Sequence, residues 1–318
     1  MTAPAKERRR SRSKGDVLLK TVVGVAAAGI VVLLVGLGLE LTSSSWLSIT
    51  TFGLGFITGS TWNSAFNTYS VFPALLGTLV ASGIALLLGL PVGLGVAIFL
   101  SERTRGIRKG ATALGSLIEL LAAVPSVIYG LWGFLVLVPF MKVYIEPTLK
   151  SVFGFLPFLF SGTPIGTDLL TGGVILAIMI VPTVSAVSRD VLNAVPNSQR
   201  EAMYSLGATD WEVVRKAVLP YARSGIFGAT ILGLGRAVGE TMAVTFVIGN
   251  SINLPKSLLS PGATLTTVIV NQFGNAFDPL SQAALVEVGL VLFLLALVIN
   301  TFARLLVWRM TKSTRFRV

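Results

Sequence analysis

The reading of this chain turns on residues 196–220, PNSQREAMYSLGATDWEVVRKAVLP. Here polar, helix-forming residues interrupt a succession of long apolar segments. Two short helices are expected. Ser198 with Glu201, and Thr209 with Glu212, have the spacing of a capping box, in which hydroxyl and carboxylate close free amides at a helix start. Gly207 suits the left-handed residue that ends the first helix. Pro220 lacks the amide that continues a helix, so the second should stop or hand over there. A compact polar knob in an otherwise apolar chain reads as a docking surface.

The surrounding composition sets the environment. Of 318 residues, 53% are hydrophobic and 12% charged, about half the charged share of a soluble domain. Thirty-three glycines in so apolar a chain suit close helix packing in lipid. With no Cys and no His, thiol chemistry, disulfides, His metal sites and His general bases are excluded. No Gly-Lys dipeptide occurs, so there is no phosphate-loop lysine. If ATP drives this protein, another chain hydrolyses it.

Apolar runs then define six expected membrane spans, each near or above the roughly 20 residues required. They are 17–41, 71–100, 111–140 (broken by Pro125), 167–191, 224–250 and 283–308. Residues 1–16 form a basic arm, 42–70 an uncharged external loop, 141–166 and 251–282 further loops, and 309–318 a basic tail. The polar loop 192–223 holds the opening stretch. The expected class is therefore an all-α integral membrane protein of six transmembrane helices.

Charge placement orients it. Of 25 Lys and Arg, 21 fall on the side of the termini and only Lys142, Lys150 and Lys256 on the other. The positive-inside rule then expects both termini and the 192–223 loop in the cytoplasm. It also accounts for the +11 net charge without nucleic acid. A helix-turn-helix reading of the loop fails for the same reason: Glu201, Asp210 and Glu212 cancel Arg200, Arg215 and Lys216, whereas phosphate binding needs a net basic face.

Charges within spans are costly and need a reason. Arg236 and Glu240 are four apart, hence on one face of the fifth helix, and about 18 and 24 Å into that span at 1.5 Å per residue. One reading is a self-neutralising intrahelical pair. The other is a polar patch on a permeation path, where a guanidinium fork suits an oxyanion and Glu240 holds Arg236 or accepts a proton. Gly235 and Gly239 bracket the pair in a small-residue pattern that lets another helix approach. Glu119, about 12 Å into the third span, reads as a partner for Arg236 or as a satisfied structural carboxylate.

The residues then become recognisable. Glu201, Ala202 and Gly207, with Leu219-Pro220 beyond, resemble the "EAA…G…LP" loop of binding-protein-dependent ABC importer permeases; Met203 departs from the usual Ala. In that family the loop is a coupling helix docking in a groove of the ATPase subunit, which extends the assignment to Glu201, Ala202, Gly207, Ala208 and Asp210. Residues 233–250 (GLGRAVGETMAVTFVIGN), 119–133 (ELLAAVPSVIYGLWG) and 73–82 (PALLGTLVAS) look like the phosphate importer permeases, C-type more than A-type. The resemblance covers most of residues 71–308.

It implies a type I importer permease fold, a five-helix core with the first span as an addition. It also implies a non-catalytic subunit at the plasma membrane. The implied partners are an A-type permease chain, two copies of an ATPase subunit carrying ATP and Mg, and an extracytoplasmic phosphate-binding protein. No cofactor is expected on this chain. Rival readings are a permease for sulfate or molybdate, an ATPase-independent anion carrier, and a membrane sensor signalling through the 192–223 loop.

Overall fold

The computed structural model describes residues 14–103 and 108–315. Most of the basic arm, part of the basic turn after the second span, and the end of the tail lie outside the described residues. Among the described residues the regular structure is helical, apart from two isolated bridge pairs. Among the described residues six helices are long and apolar enough to cross a membrane: Val17–Ser44, Phe72–Glu102, Ser126–Phe153, Leu169–Asn193, Asp210–Gly239 and Pro279–Arg309. An even number of crossings leaves both ends of the chain on one side, called here the terminal side; the opposite is the far side.

The helices used below are α1 (Lys14–Ser44), α2 (Phe72–Ile98), α3 (Arg108–Ala123), α4 (Ser126–Phe153), α5 (Leu169–Asn193), α6 (Asn197–Ser205), α7 (Asp210–Gly239), α8 (Met242–Val247), α9 (Leu265–Phe273) and α10 (Pro279–Arg315). The parallel pair α2 and α5 forms the most extensive helix contact. Its cause is legible in α2: Gly77, Ala81, Ala85, Gly89, Gly93 and Ala97 recur at every fourth residue and are all buried. Residues four apart share a helix face, so α2 presents a groove nearly free of side chains. Ile180 and Val184 of α5 fill it. A Cβ on Gly89 would lie 2.7 Å from Ile180 Cγ1, and one on Gly93 3.0 Å from Val184 Cβ. On α7, Gly233 admits Val184 from the other side in the same way. One core cluster thus joins α2, α5, α7 and α8 through Ala85, Ile180, Ala237 and Val244.

Prolines explain three of the four π turns among the described residues; the fourth, Phe99–Arg103, has none after it. Three wide π turns, Gly133–Leu137, Met141–Ile145 and Val214–Val218, each end two residues before a proline: Pro139, Pro147 and Pro220. A proline removes an amide and presses its ring on the carbonyl four residues back; widening the preceding turn relieves both. The helix from Asp210 therefore runs through Pro220 into the fifth span rather than stopping there.

Several expected boundaries move. Pro125 is a full break and not a kink within one span: its backbone is extended (ψ 138°) and α4 starts after it. The third crossing is Ser126–Phe153, so Glu119 lies in the separate helix α3, not in that span. The fifth span ends at Gly239, where Glu240 turns extended (ψ 133°) before the short α8. The far-side loop after α8 contains α9. Of the two capping boxes, only Thr209–Glu212 forms. Pro196 takes the cap position of α6, which puts Ser198 one residue inside the helix and out of register.

Candidate functional site

On the terminal side α6 and the start of α7 form a knob over an apolar cushion of Ala97, Leu192, Val195, Val213, Val218 and Ala222. One side chain pins it. Arg200 is 3% exposed and grips Glu102 with both arms, Nε to Oε2 at 3.2 Å and Nη2 to Oε1 at 2.7 Å. It also donates to the backbone carbonyls of Leu192, at 2.9 Å, and Val195, at 2.5 Å. The guanidinium fork thereby joins the residues just after α2, the buried carbonyls at and just beyond the end of α5, and α6. Such a bidentate pair fixes orientation as well as distance.

Facing outward are Glu201, Ala202, Gly207 and Asp210, all exposed, while Ala208 is half-buried against the cushion. Gly207 has φ +78°, the left-handed conformation expected of it. Tyr204 donates its hydroxyl to Asp210 at 3.1 Å, closing the turn between the helices. Around these lie large exposed apolar side chains that the sequence reading did not single out: Tyr204, Leu206 (82% exposed) and Trp211 (61%). A concentrated apolar patch on a polar knob marks an interaction surface. The signal was present in the sequence, as aromatic and leucine residues at positions where a solvated helix carries charge.

The second feature is Arg236. It is half-buried on α7 and donates from Nη1 to the Thr183 hydroxyl at 3.2 Å. Thr183 lies about 21 Å from the start of α5 at 1.5 Å per residue, near the middle of that span, directly after the internal Pro182. Among the described residues this is the one hydrogen bond of Arg236. Glu240 does not share its face, because the helix ends between them. Its Oε1 instead accepts the Ala243 amide at 3.3 Å, in the first turn of α8, while its own carbonyl accepts from the Thr266 hydroxyl of α9 at 2.8 Å. An intrahelical Arg236–Glu240 pair is thus not formed. Both residues sit at the same discontinuity, Arg236 before it and Glu240 within it.

Gly235 and Gly239 are exposed, with no neighbouring atom near the position of a Cβ. Among the described residues no helix approaches closely at either position; they line an apolar groove with Leu37 and Leu41 of α1 and Phe293 of α10. The side chain of Glu119 lies outside the described residues.

A third group had no place in the sequence reading. Glu146 of α4 and Asp168, before α5, are both fully buried. Their carboxyl groups face each other. Glu146 Oε2 accepts the Gly166 amide at 3.2 Å and Asp168 Oδ1 the Thr171 amide at 2.8 Å. Asp168 immediately before an apolar run is a readable helix-start signal; its meeting with a residue 22 positions earlier is not.

Comparison with known proteins places this geometry. Residues 89–312 match the family model described as "Binding-protein-dependent transport system inner membrane component". The phosphate transport system permease protein PstC of Pasteurella multocida is 44% identical over 302 residues, covering 94% of this chain and 93% of that protein. Its counterpart in Mesorhizobium japonicum is 41% identical over 303 residues, covering 94% and 92%. Among solved structures, a bacterial alginate ABC transporter in complex with an alginate-bound periplasmic protein aligns with TM-score 0.58 at 17% identity, over 94% of this chain and 96% of the other. The inward-facing methionine transporter MetNI aligns at 0.50, with 19% identity, over 76% and 94%. These structural likenesses speak to the fold, which is that of an ABC importer permease. The chain belongs to the binding-protein-dependent transport system inner membrane components, among the phosphate transport system permease proteins.

Proposed function

We propose that this chain is a pore-forming, non-catalytic subunit of an ATP-driven importer that moves inorganic phosphate across the plasma membrane by alternating access. The observation that carries the reading is Arg236, a half-buried guanidinium near the end of α7 with one described hydrogen bond, to Thr183 near the middle of α5. A guanidinium in a low-dielectric path binds an oxyanion through paired, charge-assisted hydrogen bonds. The near full-length likeness to phosphate permeases supports the choice of oxyanion.

The remaining parts follow from the same reading. The knob of α6 and α7 docks in an ATPase subunit through Glu201, Ala202, Gly207, Ala208 and Asp210, with Tyr204, Leu206 and Trp211 as its apolar contacts. ATP and Mg belong to two copies of that subunit. An A-type permease chain completes the pore, and an extracytoplasmic phosphate-binding protein delivers substrate to the far side. The excess of Lys and Arg on the terminal side supports cytoplasmic termini. Glu240 serves the pathway by fixing the start of α8 beside Arg236.

Uptake of radiolabelled phosphate into cells carrying the whole system tests this. Replacing the phosphate-loop lysine of the companion ATPase should abolish uptake. Persistent uptake would mean a carrier independent of ATP. Uptake competed by sulfate or molybdate more strongly than by unlabelled phosphate would refute the substrate.

A further inference from the structure

The far end of α4 meets the start of α5 through two acids. Glu146 and Asp168 are each 0% exposed. Each uses one oxygen on a backbone amide, and the other oxygens, Glu146 Oε1 and Asp168 Oδ2, are buried with no hydrogen-bond partner. Such orphaned oxygens are uncommon in a well-packed interior and point to something held between them. The surroundings supply no compensating cation. On α4, Lys142 is exposed; further along, Lys150 donates to the Gly162 carbonyl. The 257–260 segment contributes backbone carbonyls to Leu169 and Leu170, and Lys256 beside it is exposed. Among the described residues no ion pair involves either acid.

Two facing, buried carboxylates without a cation do not both stay ionised, because desolvation and mutual repulsion each oppose it. We propose that Glu146 and Asp168 bind one proton between them, forming an acid–carboxylate lock that fastens the far end of α4 to the start of α5. One proton lets one carboxyl donate to the other, and the buried Thr171 hydroxyl is a further donor beside Asp168. Asp168 is the acceptor: it caps α5, where the Thr171 amide and the helix dipole favour the anion. Glu146 carries the proton and donates it. The lock is independent of what the protein transports.

The test is infrared difference spectroscopy on the full chain, purified with its companion subunits, across a pH titration. Wild type should show a protonated-carboxyl C=O band at neutral pH that disappears at alkaline pH, and Glu146→Gln should lack it. Glu287 is also buried, and Glu287→Gln, which separates any band of that residue, should retain the pair's. Identical bands in wild type and Glu146→Gln would overturn the proposal. So would a melting temperature that rises with sodium or potassium, exchanged for choline at constant ionic strength, in wild type only, since a metal cation would then be the occupant. If Glu146→Gln does not assemble, Asp168→Asn decides: removal of the acceptor anion should shift or abolish the band, and an unchanged spectrum overturns the lock.

Discussion

Replacing Arg200 by methionine should free the docking knob from the helices beneath it. Arg200→Met keeps the aliphatic bulk but deletes four hydrogen bonds, two to Glu102 and one each to the carbonyls of Leu192 and Val195. It also takes the paired guanidinium away from the Glu102 carboxylate, which is 14% exposed. Removing one member of a buried ion pair costs about 3–5 kcal/mol. If that cost falls on local opening of α6, the open population rises roughly a hundred- to several-thousand-fold at 1.36 kcal/mol per decade. Hydrogen–deuterium exchange of peptides covering 197–205 reads it directly, and amides of 169–185 in α5 serve as the unaffected reference. The charge swap, Glu102→Arg with Arg200→Glu, should not restore protection, because a carboxylate at 200 would face two carbonyls instead of donating to them. Exchange within twofold of wild type in Arg200→Met would refute the clamp. Full rescue by the swap would show that the carbonyl bonds contribute nothing.

Three other perturbations test the remaining parts. Gly89→Leu drives a side chain into Ile180, 2.7 Å from the Cβ position; overpacking of about 1–3 kcal/mol or more is expected, seen as a lower melting temperature that Ile180→Ala partly restores. Gly207→Val forces a β-branched residue to φ +78°, at roughly 1–2 kcal/mol, and should cut co-purification of the ATPase while the chain still inserts; Glu201→Ala should do the same without the strain. Arg236→Gln should abolish phosphate uptake with the complex assembled, and uptake at the wild-type rate would make Arg236 a structural residue.

The sequence carried the number of crossings and the all-helical class because the length and apolar content of a span are local, additive properties. Gly207 and the Thr209–Glu212 cap were legible because turn chemistry needs only neighbours. The failures share a cause. Arg236 and Glu240 fall on one face only if the helix continues, and Gly239-Glu240-Thr241 contains no proline to announce that it ends. Pro125 was visible, but its effect was not: whether a proline kinks, breaks or is absorbed by a π turn depends on what packs around it. Arg200 reads as a surface cation in a polar stretch; only the tertiary approach of Glu102, 98 positions away, makes it a buried clamp. Ser198 and Glu201 have the right spacing for a cap, yet Pro196 took the cap position first.

The absorption of Pro220 into a π turn has a mechanical side. Asp210–Gly239 is one rod of 30 residues, with the docking knob at its foot and Arg236 near its tip, about 39 Å up at 1.5 Å per residue. Over that lever arm a tilt of about 5° at the foot sweeps the tip sideways by roughly 3 Å, comparable to the 3.2 Å reach from Arg236 to Thr183. The widened turn at Val214–Val218 is a knee low on the rod, so the angle imposed below and the sweep delivered above depend on how stiffly that knee holds.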